Sequence, residues 1–191
     1  MRRVLYLARH GETDWNRVGR WQGHTDVALN DEGRAQARAL GERLRGLEIG
    51  RVHASDLLRA RQTAEIAAEL LGLGPPVVDP DLRERSFGVF EGLTRDECEG
   101  RFPDLWAAYR ADPSRVPPGA EAHEALAVRM HEAVRRAVAV DDAAPILIVS
   151  HGGSIRAFLA RVTGVMPPPL PNVALFRAVA TPEAITEVTL L

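Results

Sequence analysis

The chain contains no lysine; all 24 of its basic side chains are arginine. That absence excludes Schiff-base chemistry and a Walker-type phosphate loop, both of which need a lysine amine. Any anion site must be built from arginine, histidine or backbone N–H groups. A single cysteine, Cys98, excludes an intramolecular disulfide and a cysteine cluster for a metal. Apolar runs such as Ile146 to Val149 are far too short to cross a bilayer. No excess of positive charge is present: the net charge is −2, so a polyanion such as nucleic acid is not an expected partner. Met1-Arg2-Arg3 leads straight into Val4 without a leader pattern, and the cytoplasm is the expected location.

What is present describes an ordinary globular chain. Hydrophobic residues make up 46% and charged residues 26% of the 191, enough to bury a core. One domain is expected, residues 1–191. Val4 to Ala8 reads as a short buried strand that stops at Arg9-His10-Gly11-Glu12. A polar loop follows, Glu12 to Asp26. Asn30-Asp31 reads as the cap of a helix with Ala37, Leu40, Leu44 and Leu47 on one face. Arg51 to Ala54 reads as a second strand, and Ser55-Asp56 as the cap of a helix that Gly72 to Pro76 stops. Val77-Val78 reads as a third strand.

From Asp81 to about Ala120 the pattern is irregular, with Phe87, Phe90, Phe102, Trp106 and Tyr109 among glycines and prolines. One or two short helices are expected there, lying over the active site rather than within the sheet. Glu121 to Val140 is amphipathic, and Ile146 to Val149 reads as a central strand. A helix from His151 to about Val162, a stiff linker Pro167 to Pro171, and a hairpin of Val173 to Ala180 and Ile185 to Leu191 through Thr181-Pro182 complete the chain. Strands alternating with helices predict an α/β fold with a mostly parallel sheet, in which ligands bind beyond the carboxyl ends of the strands.

Those strand ends carry the chemistry. Arg9 and His10 follow the first strand, Ser55 and then Arg59 the second, Leu82-Arg83-Glu84 the third, and His151-Gly152-Gly153 the long apolar one. Singly, Arg59 reads as a solvated helix residue and Glu84 as a surface carboxylate. Four segments converging on one sheet edge make a stronger observation than any one of them. Arg9 and Arg59 can fork onto phosphoryl oxygens, and the helix start after His151 adds backbone donors. Two nearby guanidinium groups keep His10 neutral and nucleophilic. His151 suits donation to an equatorial oxygen, and Glu84 suits proton transfer to a leaving alkoxide. No His-x-x-x-His pair, carboxylate-rich loop or cysteine set offers a metal alternative.

These residues give the chain a resemblance to the histidine phosphatase superfamily, phosphoglycerate-mutase-like branch. The matching stretches are Leu7 to Asn16, Leu29 to Ala37, Ser55 to Ala64, Leu82-Arg83-Glu84 with Gly88 and Glu91-Gly92, and Val149 to Gly153. The resemblance implies a three-layer α/β/α sandwich, its sheet mostly parallel with an antiparallel edge strand. It implies phosphorylation of His10 and a phosphate pocket of Arg9, Arg59 and His151, with Asn16, Gln22, Gly23 and Gly152 beside them. Glu84 matches the acid/base position. No metal or organic cofactor is expected, and the partner is a small phosphorylated metabolite; a homodimer is compatible with the pattern.

Mutases of this branch look longer and carry a lysine for the substrate's second acid group. The missing lysine and the Trp21-Gln22-Gly23-His24-Thr25-Asp26 segment favour the phosphatase subgroup. The stretch Pro117-Pro118-Gly119-Ala120-Glu121 departs from the commoner Gly-Gly-Glu-Ser. The expected function is hydrolysis of small phosphate monoesters, against two alternatives: a phosphoglycerate mutase and a phosphate-binding regulatory protein without turnover.

Overall fold

A computed structural model describes residues 2–139, 144–181 and 184–191. Its centre is one six-stranded sheet. The strands are β1 (Arg3–Arg9), β2 (Arg51–Ala54), β3 (Val77–Val78), β4 (Ile146–Ser150), β5 (Leu175–Ala180) and β6 (Ile185–Leu190), in the order β3-β2-β4-β1-β5-β6. The pairs β3·β2, β2·β4 and β4·β1 are parallel. The pairs β1·β5 and β5·β6 are antiparallel, so the antiparallel edge comprises two strands.

The helices are α1 (Asp14–Arg17), α2 (Asp31–Leu44), α3 (Leu58–Leu70), α4 (Arg95–Arg101), α5 (Pro103–Ala111), α6 (His123–Val138) and α7 (Gly152–Thr163). Alternation along each strand decides which face they cover. Leu5, Leu7, Ile146 and Ile148 pack with Met130, Val134, Ile155 and Phe158 of α6 and α7. Tyr6, Ala8, Leu147 and Val149 face the other way, onto Leu40 and Leu44 of α2 and the alanine face of α3. This is the expected three-layer sandwich. Both faces of β4 are closed to solvent, consistent with its unbroken apolar run. Among the described residues no helix is long and apolar enough to cross a membrane.

Local details differ from the sequence reading. The 12–26 loop contains α1, opened by a Thr13 capping box whose third helical residue is Asn16. Helix α3 starts at Leu58, with Leu57 rather than Ser55 or Asp56 at the N-cap, and has no side-chain cap of its own. Its early amides are met instead by Ser55 Oγ at Leu57 N and, from a distant loop, Asp26 Oδ1 at Leu58 N. Asp56 is unavailable because it pairs with Arg83. Asn30 caps α2 as expected, its Oδ1 accepting from Gly33 N. Val140, expected to end α6, and Pro182, expected in the last turn, lie outside the described residues.

The 81–120 region holds α4, α5 and two single turns of 3₁₀ helix, Pro80–Leu82 and Gly88–Phe90. Its aromatic residues pack largely on one another. Phe90 is wholly buried against Trp106, Tyr109 and Phe102, and Trp21 joins the cluster from the 12–26 loop.

Candidate active site

The carboxyl ends of β1, β2 and β4 form one rim, and the polar side chains expected there meet at it. His10 follows β1 directly, its N–H bonded to Ser150 O of β4. Its Nδ1 lies 2.6 Å from Gly11 O. A carbonyl only accepts, so Nδ1 carries the ring proton and Nε2 keeps its lone pair. Burial, then Arg59 and Arg9, hold the imidazole well below its ordinary pKa, so the ring is neutral. Close backbone packing fixes this loop. A Cβ on Gly11 would lie 2.4 Å from Gly33 O, so α2 can come this near only because the residue is glycine.

His151 ends β4 and stands 5.1 Å, centroid to centroid, from His10. It is fully buried, and neither ring nitrogen has a protein partner. Burial, then Arg59, His10 and Arg9, hold it well below its usual value. Orphaned buried polar atoms are rare, and a pair of them this close to His10 points to a ligand, although His151 does not itself line the cleft.

Arg59 is 0% exposed although it lies in the first turn of α3. Its Nη groups donate to Thr25 O at 3.0 Å and Gly23 O at 2.8 Å, while Nε is unpartnered. Burial pulls this guanidinium down to about 10, still protonated at neutral pH. Arg9 donates to Leu170 O, and its Nε is also orphaned. The two cations are therefore tied by one edge to backbone carbonyls and free at another.

Glu84 lies in irregular chain, yet its position is closely determined. Ser150 Oγ holds Leu82 O, and Arg129 of α6 donates to Asp81 O, Arg83 O and Glu84 O. The carboxylate reaches the N-terminus of α7. Oε1 accepts from Ser154 N, Ser154 Oγ and Arg85 N, and Oε2 accepts from Gly153 N at 2.9 Å. Of the first four amides of α7, Ile155 N is taken by His151 O and two by Glu84. Gly152 N is the remaining one, beside Arg9, whose Nε lies 3.4 Å from where a Gly152 Cβ would be.

A cleft of about 560 Å³ opens over these groups. Arg9, His10, Asn16, Gln22, Gly23, Arg59 and Glu84 all line it, with Gln22 Oε1 buried and unpartnered. Asn16 spends its carbonyl on the Thr13 cap, and so presents its amide N–H groups. His151 stands behind His10, and Gly152 lines the adjoining cavity.

The sequence reading missed Asn172, whose Nδ2 donates to His10 O at 3.0 Å and also approaches Asn16 Oδ1. A signal for it existed. An antiparallel strand begins at the edge where its parallel neighbours end, so the residues before β5 belong to this rim. Among the described residues no three His, Cys, Asp or Glu side chains gather as a metal site would need.

A family model described as histidine phosphatase superfamily (branch 1) matches residues 5–186. The chain belongs to that superfamily. It is 39% identical over 160 residues to phosphoglycerate mutase-like protein 4 of Arabidopsis thaliana, covering 82% of this chain and 70% of that protein. It is 35% identical over 162 residues to a metal-independent phosphoserine phosphatase of the same plant, covering 83% and 68%. A mycobacterial glucosyl-3-phosphoglycerate phosphatase solved in complex with VO3 superposes with a TM-score of 0.85 at 31% identity, over 98% of this chain and 97% of that one. This member of the superfamily is a phosphoric monoester hydrolase.

Proposed function

We propose that the protein hydrolyses small phosphate monoesters by way of a phosphohistidine on His10. The observation that carries this is the geometry of the imidazole: Nδ1–H tied to Gly11 O and Nε2 free, in a ring that burial first and then Arg59 and Arg9 hold neutral. Nε2 attacks phosphorus, the P–N bond forms, and the P–O bond to the alcohol breaks. The departing alkoxide takes a proton from the Glu84 carboxyl. Oε2, with a single donor against three at Oε1, is the oxygen with capacity left for that exchange.

The fixed cations Arg9 and Arg59, the Gly152 amide and His151 bind the equatorial oxygens, whose charge redistributes as the bond breaks. Asn16, Gln22 and Gly23 complete the rim. Water then attacks the phosphohistidine, gives its proton to Glu84, and releases inorganic phosphate. The enzyme returns to its starting protonation state.

Replacing His10 by Ala tests the reading. Turnover of an aryl phosphate is expected to vanish, together with an acid-labile, base-stable phosphoenzyme trapped from ³²P-labelled substrate. Turnover that survives in the variant overturns the proposal. A coupled assay for interconversion of 2- and 3-phosphoglycerate is expected to show hydrolysis and no net mutase flux.

A further inference from the structure

A second cavity, of about 610 Å³, adjoins the cleft and shares Arg9, Trp21, Glu84 and Phe87 with it. His10, Asn16 and Arg59 line the cleft but not this cavity. His10, Asn16 and Arg59 are thus on the cleft side, Arg9 and Glu84 face both cavities, and Gly152 stands on the second cavity's wall beside Arg9. Beyond Glu84 the walls turn apolar: Tyr109, Leu126, Ala157, Met166, Pro169 and Leu170.

Two cations interrupt this apolar lining. Arg85 is 2% exposed. It donates through Nε to Glu121 O at 2.7 Å and through Nη1 to His123 Nε2 at 2.8 Å, and Nη2 has no partner. Its guanidinium carbon sits 5.6 Å from the Phe87 ring centre and 5.8 Å from that of Tyr109. Arg156 of α7 spends Nε on Pro167 O at 2.8 Å. Among the described residues neither arginine is paired with a carboxylate. His123 offsets nothing. Burial, then Arg85 and Arg156, hold it below its ordinary value, so it is neutral, with Nε2 accepting from Arg85. Among the described residues the only acid on the cavity wall is Glu84, already engaged at the start of α7.

A desolvated cation without a counter-charge is costly and draws an anion to itself. Arg156 still has both terminal nitrogens to present, a fork that matches a planar carboxylate. We propose that this cavity receives the alcohol portion of the substrate, and that this portion is an apolar body carrying a carboxylate, anchored by Arg156 in the field of Arg85. The inference rests on the phosphatase reading above and adds the substrate class to it.

Three esters test it: the phosphates of 3-(hydroxymethyl)benzoic acid, of its methyl ester, and of glycerol. All three release a primary alkoxide, so leaving-group acidity varies little among them. In the full-length enzyme, kcat/KM for the carboxylate ester should exceed that for the methyl ester by about tenfold, the worth of one charge-assisted contact. Glycerol phosphate should be the poorest of the three. Arg156→Gln should remove the carboxylate preference, mainly through KM, and Arg156→Lys should restore part of it. Met166 lies at the cavity mouth and is 53% exposed, so a substitution there leaves the core intact. Met166→Glu should cut the preference about threefold by repulsion across water.

Equal kcat/KM for acid and methyl ester, unmoved by these variants, overturns the anion subsite. Glycerol phosphate turned over as well as the aromatic esters overturns the apolar body. If His10→Ala still hydrolyses the esters, the fault lies in the phosphohistidine reading and not in the cavity.

Discussion

Glu91 Oε1 stands where a side chain on Gly23 would have to go: a Cβ on Gly23 would lie 2.1 Å from it. The same carboxylate accepts from His24 N, Thr25 Oγ1, Ser86 Oγ and Phe87 N. Arg59 in turn donates to Gly23 O and Thr25 O. Glu91 therefore sets the path of the 23–25 backbone, and that backbone sets where the buried guanidinium points. Glu91 does not itself line the cleft; it acts through the residues it holds.

Gly23→Ala should break this arrangement twice over. Gly23 has φ of +52°, which a Cβ disfavours, and the methyl would push Glu91 aside. With Arg59 in its proposed phosphate-binding role, displacing it by about 1 Å should cost roughly 10- to 100-fold in kcat/KM. The loss should appear chiefly as a raised KM, with a parallel rise in the inhibition constant of orthophosphate. Glu91→Gln keeps an acceptor and most of the shape, so its effect should be smaller. An unchanged orthophosphate constant in Gly23→Ala would show that Arg59 is positioned by something else.

The buried histidines set a pH dependence of stability. His10 and His151 are held well below their ordinary values by burial first and nearby arginines second, and His53 is pulled by burial and Arg51 to about 4. Below about pH 6.5 the unfolded chain binds a proton at each, while the folded chain does not. Stability is therefore fully present above that value and is lost as pH falls, by up to about 1.4 kcal/mol per unit for each histidine. For His53 the loss ends near its folded value of about 4. Tm should stay level from pH 7.5 to about 6.5 and then fall down to pH 4.5, and His53→Gln should flatten that fall. The same neutral His10 predicts no loss of kcat/KM near pH 6.5 once substrate ionisation is accounted for.

Phe90 is the keystone of the aromatic cluster in the 81–120 region, wholly buried with Trp106, Tyr109 and Phe102 around it. Phe90→Ala should cost about 3–5 kcal/mol by lost burial and a residual cavity. Phe87 and Trp21, which wall both cavities, pack on the same cluster, so KM for an aromatic ester should rise as well. Urea unfolding at constant m and a KM measurement check the two halves of this statement.

The parallel strands and their terminal residues were legible because period, length and polarity agree there. Val4 to Ala8 is an apolar run that ends at Arg9-His10, and β1 ends at Arg9. Less legible were features whose partners are remote in sequence. Ser55-Asp56 looks like a cap, but Arg83 claims Asp56, and Asp26 reaches Leu58 N from another loop. The α1 capping box uses Asn16 where Glu or Gln is usual, which disguises it. Asn172 follows a proline-rich linker and gains meaning only once β5 is known to run antiparallel to β1. The sequence concentrates aromatic residues in the 81–120 region, but not legible there was that they close mostly on one another and leave Phe87 and Tyr109 to face a cavity.

Glu84→Gln separates proton transfer from everything else the residue does. The amide oxygen can still accept from Gly153 N or Ser154 N, so the 82–84 segment and the start of α7 should keep their places. What is lost is the proton. A 4-nitrophenolate leaving group departs without one, whereas an alkoxide does not. The variant should therefore retain most of its kcat/KM toward 4-nitrophenyl phosphate for phosphorylation of His10, while an alkyl phosphate loses about 10²- to 10⁴-fold. On the proposed mechanism Glu84 is also the base that activates water for dephosphorylation, so steady-state kcat toward the aryl ester should fall and a burst of 4-nitrophenolate should precede it. The burst amplitude should equal the enzyme concentration. Equal losses for both esters, with no burst, would mean that Glu84 binds rather than transfers a proton.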